Sequence, residues 1–132
     1  MLDTDVCSHI IRGVRGRARR ALARLPRERV VISAITRGEL RYGCALRPEA
    51  RDLGRAVDFF LSGIATLAWD EAAADCYGLR RASLRVRGEP IGALDEMIGA
   101  HALSCGATLV TANVRHFSRV EGLSVRSWGP PG

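Results

Sequence analysis

A chain of 132 residues that is 47% hydrophobic and only 5% aromatic has the length for one domain with its own core and none to spare for a second. Its formal charge of +6 and pI of about 10.1 point to a polyanionic partner, nucleic acid first, and all 20 basic residues are Arg, a bias that suits bidentate phosphate contacts but also follows from a GC-rich genome. Cys7, Cys44, Cys76 and Cys105 are far apart, with no CxxC and no His pair at metal spacing, which excludes a zinc site and predicts small core residues of a reduced, cytoplasmic protein. No apolar signal segment or membrane-spanning run occurs, so no membrane partner is expected.

Met1 and Leu2 supply only a very short first strand before Asp3, and residues 6–11 follow as one or two helical turns ending near Gly13. A second helix runs from Arg15 to Leu25 with an arginine-rich, solvated face, and Pro26 ends it. Residues 29–33 form a β-branched, buried strand that turns into a helix over 35–45. Beyond Pro48, a helix over 49–62 directs Leu53, Ala56, Val57, Phe60 and Leu61 inward, and residues 64–68 make a third strand. Asp70 is an N-cap for the long helix 71–86, and the loop 87–90 delivers the next helix, whose inward stripe is Ile91, Leu94, Ile98, Ala102 and Leu103. Gly106 suits the left-handed position that closes it, residues 108–111 form a buried strand, a polar turn carries Arg115 and His116, and 123–126 is the last strand. Residues 129–132 read as a frayed tail. This alternation predicts a three-layer α/β/α domain over 1–132, with a central, mostly parallel sheet of about four or five strands and no internal repeat. Right-handed crossovers place the carboxyl ends of the first and fourth strands on one edge.

Asp3 and Asp5 follow the first strand, Glu39 and Asp95 lie on the less polar faces of their helices, and Asn113 falls just past the fourth strand. In an open α/β sheet the ligand crevice lies beyond the carboxyl ends of the strands, where these side chains would converge. Such a set repels itself unless a hard cation neutralises it, and Mg²⁺ or Mn²⁺ prefers carboxylates, carboxamides and water. Blander roles compete. Thr4 or Asp5 could cap the first helix, Thr36 to Glu39 has the spacing of a capping box, and Asp95 and its neighbour Glu96 complement the positive end of a helix. Capping does not explain why Asp3, Glu39 and Asp95 all fall at the crevice. His101 reads as a helix residue, His116 as a candidate substrate contact, and Trp69 and Trp128 as packing residues. Arg80, Arg81, Arg85 and Arg87 suit a helix C-terminus and are candidate RNA contacts.

MLDTDVCSHIIRG, VVISAITRGELRYG, PIGALDEMIGAHALSCGATLVTANVRHF and LSVRSW, in this order and at these separations, resemble PIN-domain ribonucleases, in particular VapC-type toxins of bacterial toxin–antitoxin pairs. The resemblance implies a Mg²⁺- or Mn²⁺-dependent endoribonuclease acting on structured RNA such as tRNA or rRNA. It also implies a homodimer, joined by a cognate antitoxin into a heterotetramer or larger assembly and inhibited by it. Position by position, the family's acids match Asp3, Glu39 and Asp95 as metal ligands. Its fourth catalytic position, Asp or Asn, matches Asn113, and Asp5 and Asn113 are further candidate ligands. Three features depart from the family: Asp5 where Asn is usual, His116 where an acid is frequent, and only two residues before the first Asp, which predicts a thin sheet edge or a start placed late. Two rivals are a catalytically silent RNA- or antitoxin-binding module and, through Asp3ThrAspVal6, a haloacid dehalogenase-type phosphatase. The latter fits poorly because its motif needs a further acidic pair that the segment after the fourth strand does not offer.

Overall fold

A computed structural model describes residues 1–13 and 16–129. The predicted start of the second helix at Arg15 and most of the predicted tail, residues 130–132, lie outside that range. Seven α-helices are described, α1 (Thr4–Ile11), α2 (Arg17–Ala23), α3 (Ala34–Ala45), α4 (Arg51–Ser62), α5 (Glu71–Val86), α6 (Ala93–Ser104) and α7 (Val114–Phe117), with a 3₁₀ turn (Arg27–Arg29) where the strand over 29–33 is expected to begin. They alternate with four short strands, β1 (Val31–Ser33), β2 (Ala65–Leu67), β3 (Leu109–Val110) and β4 (Val125–Arg126).

All strand pairs are parallel: β1 lies beside β2 with Ile32 opposite Thr66, and β3 beside β4 with Leu109 opposite Val125. Leu2 joins the two pairs by bridging both Ile32 and Val110. Its N–H donates to the Val31 carbonyl at 3.0 Å, the Asp3 N–H to the Val110 carbonyl at 3.0 Å, and the Val110 N–H back to Met1 at 2.8 Å. The sheet order is therefore β2, β1, the Leu2 segment, β3, β4. The thin place expected at an edge is in fact the middle of the sheet, where one residue of chain suffices because neighbours on both sides satisfy its backbone.

The period of two along each strand divides the core. Leu2, Ile32 and Val110 face one side with Val6, Cys7, Leu40, Val57 and Leu61, whereas Met1 and Leu109 face the other with Leu84, Ile98, Ala102 and Phe117. Helices α1, α2, α4 and most of α3 thus cover one face and α5, α6 and α7 the other, giving the predicted three layers. Against expectation, Leu94 of the predicted apolar stripe and Cys105 of the supposed core cysteines are exposed. Leu94 sits in the first turn of α6 on the side away from Glu96, which is the buried residue of that turn. Cys105 is its C-cap, past the last buried turn. The polar turn after Asn113 is a full helical turn, α7.

Two junctions bear on the site. β1 and the Leu2 segment pass into helices with no intervening loop, so Ser33 caps α3 by accepting from the Ile35 N–H at 3.1 Å and Asp3 caps α1 by accepting from the Val6 N–H at 2.9 Å. At the far end of α6, Gly106 adopts φ +67° while the Ala107 N–H reaches the Ala102 carbonyl at 2.9 Å and the Gly106 N–H that of Leu103 at 3.2 Å. This is a Schellman closure, and it feeds the chain directly into β3.

Candidate active site

Asp3 ends the central segment of the sheet and is 4% exposed. Burial pushes its carboxyl up to about 6. The Thr111 hydroxyl and Val6 N–H directed at it pull the other way, and the charges of Asp5 and Asp95 add to the rise. Asp95, in the first turn of α6, is also pushed up to about 6, by burial first and then by Glu39, Asp5 and Glu96. Asp5 and Asp95 are thus near enough to act on Asp3, and Glu39 and Asp5 near enough to act on Asp95. Glu39 is half-buried and accepts a 2.6 Å hydrogen bond from the Thr4 hydroxyl. The capping-box role for Glu39 is thereby overturned: Ser33 is the cap, Thr36 is fully buried one turn inside α3, and Glu39 is tied across to α1.

Asn113 is half-buried beyond β3, with its N–H donating to Thr111 Oγ1 at 2.9 Å and its side-chain Nδ2 at 2.7 Å from His116 Nδ1. Thr111 is buried, and the hydroxyl that accepts from the Asn113 N–H also lowers the Asp3 pKa. Among the described residues no three His, Cys, Asp or Glu side chains stand close enough to form a ready-made cation cage. The donor set nevertheless suits a hard divalent cation, being carboxylates with one carboxamide, and the two carboxyls, raised by burial first and by like charges second, are ones whose charged form such a cation would favour.

The PIN domain family matches residues 1–123, a span that includes all five of these residues. This chain belongs to that family. The PIN domain is 39% identical over 130 residues to the tRNA(fMet)-specific endonuclease VapC of Shigella flexneri, covering 97% of this chain and 96% of the relative. It is 31% identical over 129 residues to Ribonuclease VapC2 of Rickettsia felis, with the same coverage. Among solved structures it resembles VapBC2 from Rickettsia felis bound to a DNA fragment from its promoter, with a TM-score of 0.90 at 30% identity over 97% of each chain. DNA-bound VapBC from Salmonella typhimurium gives a TM-score of 0.88 at 39% identity over 97% and 96%. Membership in this family removes the phosphatase alternative.

Other polar residues of the PIN domain serve its framework. Glu96, only 4% exposed, accepts from the Ile91 N–H at 3.2 Å and lies 3.4 Å from Arg81 Nε, so it supplies the cap that Gly92, at φ +102°, cannot. Three of the four arginines offered as RNA contacts are engaged: Arg81 with Glu96 and over the Tyr77 ring, Arg87 with Glu89 and the Arg119 carbonyl, and Arg80 with Glu121. His101 is buried against Ser33 Oγ at 2.7 Å and the edge of Trp69, and burial lowers its pKa while Asp70 partly offsets this. It is a residue of α6, as expected. Thr4 and Thr111 were missed as site residues; a hydroxyl directly after the first acid, and one two residues before the Asn, were the available signals.

Proposed function

We propose that this PIN domain is a VapC-type toxin, a Mg²⁺- or Mn²⁺-dependent endoribonuclease that cuts structured RNA, tRNA above all, and is inhibited by a cognate antitoxin. The observation that carries the reading is that buried Asp3, from the sheet's central segment, and half-buried Asp95, from the start of α6, are each raised to about 6, with Asp95 acting on Asp3 and Glu39 acting on Asp95. The relatives named for tRNA(fMet) cleavage support the substrate, and the solved VapBC complexes support the antitoxin.

Asp3, Glu39 and Asp95 would hold the cation, with Asp5 at the rim. When bound, it supplies charge neutralisation at the scissile phosphate and acidity toward a water. The chain's own part is to hold the carboxylates in register: Thr4 fixes one oxygen of Glu39, the Val6 N–H and Thr111 fix Asp3, and the first turn of α6 presents Asp95. Asn113 offers a neutral carboxamide oxygen to the cation or the attacking water. No covalent nucleophile is required, and exposed arginines such as Arg115 hold flanking phosphates. For the antitoxin, a cleft of about 560 Å³ between α1, α2 and α4, lined by Ile10, Leu22, Leu25, Phe59 and Phe60, offers an apolar seat, with Phe59 82% exposed.

The deciding experiment incubates the purified protein with total tRNA, with and without Mg²⁺ or Mn²⁺, and maps new ends. Discrete metal-dependent ends are expected; intact tRNA under all conditions would leave the silent binding module as the better reading.

A further inference from the structure

Asn113 occupies the N-cap of α7, where an Asn side chain ordinarily accepts from the backbone of the following turn. It makes no such bond. Its carboxamide is turned along the helix toward His116, with Nδ2 2.7 Å from Nδ1. An amide nitrogen offers protons and accepts nothing, so Nδ2 donates, Nδ1 accepts, and the imidazole carries its proton on Nε2. The Asn113 N–H is held separately, by Thr111 Oγ1 at 2.9 Å. Backbone and side chain are both anchored, and the atom left over is Oδ1. Among the described residues it takes part in no hydrogen bond, and it is not a buried orphan.

From this geometry we infer that His116 is a positioning residue, fixing the Asn113 carboxamide so that Oδ1 rather than Nδ2 faces the cation or water held by the acids. The inference rests on the metal-dependent reading above. A half-turn of the carboxamide would present two N–H donors where a lone pair is needed, and without a partner for Nδ2 nothing in this arrangement opposes that turn. A carboxylate at position 116 would make the same bond but add charge where Asp3, Asp5, Glu39 and Asp95 already converge. A neutral imidazole orients Asn113 without that charge, which gives a physical sense to His at this position.

Two variants of the full-length chain separate orientation from bulk: His116→Leu fills the space without an acceptor, and His116→Gln restores an acceptor oxygen. Three readouts apply: the nuclear magnetic resonance signal of the Asn113 side-chain NH₂, assigned by its absence in Asn113→Asp; Mn²⁺ affinity by calorimetry without RNA; and kcat and KM on tRNA. In His116→Leu the NH₂ signal should move to the position of a free carboxamide. Mn²⁺ affinity and kcat should each fall roughly 10-fold, as when a metal ligand loses its outer partner, with KM unchanged. His116→Gln should recover all three. An unmoved NH₂ signal, unchanged Mn²⁺ affinity, or a Gln variant as impaired as the Leu variant would overturn the inference. If the wild-type chain binds Mn²⁺ but cuts no RNA while His116→Leu still loses the cation, the functional reading falls and the role of His116 stands.

Discussion

Asp3 does two jobs with one side chain: it caps α1 and contributes charge to the site, and the two can be separated. Asp3→Asn keeps an oxygen for the Val6 N–H and removes the charge, so cleavage should drop by at least about 100-fold, the upper end of what even an outer-shell loss costs, while the circular dichroism spectrum is unchanged. Glu39→Gln and Asp95→Asn should behave alike, and wild-type rates in all three would refute the site. The carboxyls of Asp3 and Asp95 lie at about 6 in the folded chain against an ordinary 3.8. The folded state therefore keeps protons that the unfolded chain has released; the stabilising contribution is complete below about pH 4 and is lost as pH rises through about 6. In chelator, Asp95→Asn should raise the melting temperature relative to wild type at neutral pH and not at pH 4, and added Mn²⁺ should cancel the advantage by stabilising only the wild type. Equal differences at both pH values would show that burial and neighbouring charges do not raise this carboxyl.

At the scale of elements, the site is built by junctions rather than by loops. Helix α6 starts without a side-chain cap at Gly92, and Glu96 reaches back to the Ile91 N–H from inside the first turn, the same turn that carries Asp95. Glu96→Ala leaves that N–H and the Arg81 guanidinium without their partner, at a cost of about 1–3 kcal/mol. A lower melting temperature should accompany lower activity, whereas Glu96→Gln, which keeps the acceptor, should recover most of both. Helices α1 and α3 are joined across the site by the Thr4–Glu39 hydrogen bond. Thr4→Val keeps the shape and deletes the donor, so calorimetry should find Mn²⁺ binding roughly 10-fold weaker, in line with loss of an outer-shell partner. Unaltered affinity would make Thr4 a packing residue.

At the scale of the molecule, the net charge of +6 comes from 20 arginines against 14 acids. RNA binding should weaken steeply with salt because phosphate neutralisation releases counterions. Repulsion among Asp3, Asp5, Glu39 and Asp95 also predicts how an antitoxin silences the chain: a guanidinium inserted among them would replace the cation, its planar fork suiting two carboxylates at once. Antitoxin and Mn²⁺ should then compete, and excess Mn²⁺ should modestly weaken the complex. Antitoxin affinity indifferent to metal, together with full inhibition by an antitoxin whose inserted Arg is changed to Ala, would show instead that it covers the RNA path. Light scattering should find a homodimer at micromolar concentration; a monomer with and without antitoxin would count against that assembly.

The helices α5 and α6, the Asp70 cap and the closing Gly106 were legible in the sequence because they depend on local periodicity and on one residue's backbone freedom. The positions of Asp3, Glu39 and Asp95 along their elements were legible for a related reason: each lies at a fixed offset from a strand end or helix start. What only the tertiary structure decided is which groups those acids lean on. Thr36 and Glu39 have capping-box spacing, yet the cap falls on Ser33 because β1 runs straight into α3, and Glu39 is left to bond Thr4, 35 residues away in the chain. Glu96 reads as a charge complementing the start of its helix, yet it is buried and meets both the Ile91 N–H and Arg81 of α5. A single residue, Leu2, serves as the middle of the sheet because both neighbours meet its backbone. Local rules set where each carboxylate starts; contacts between distant segments set what holds it, and no sequence spacing encodes those.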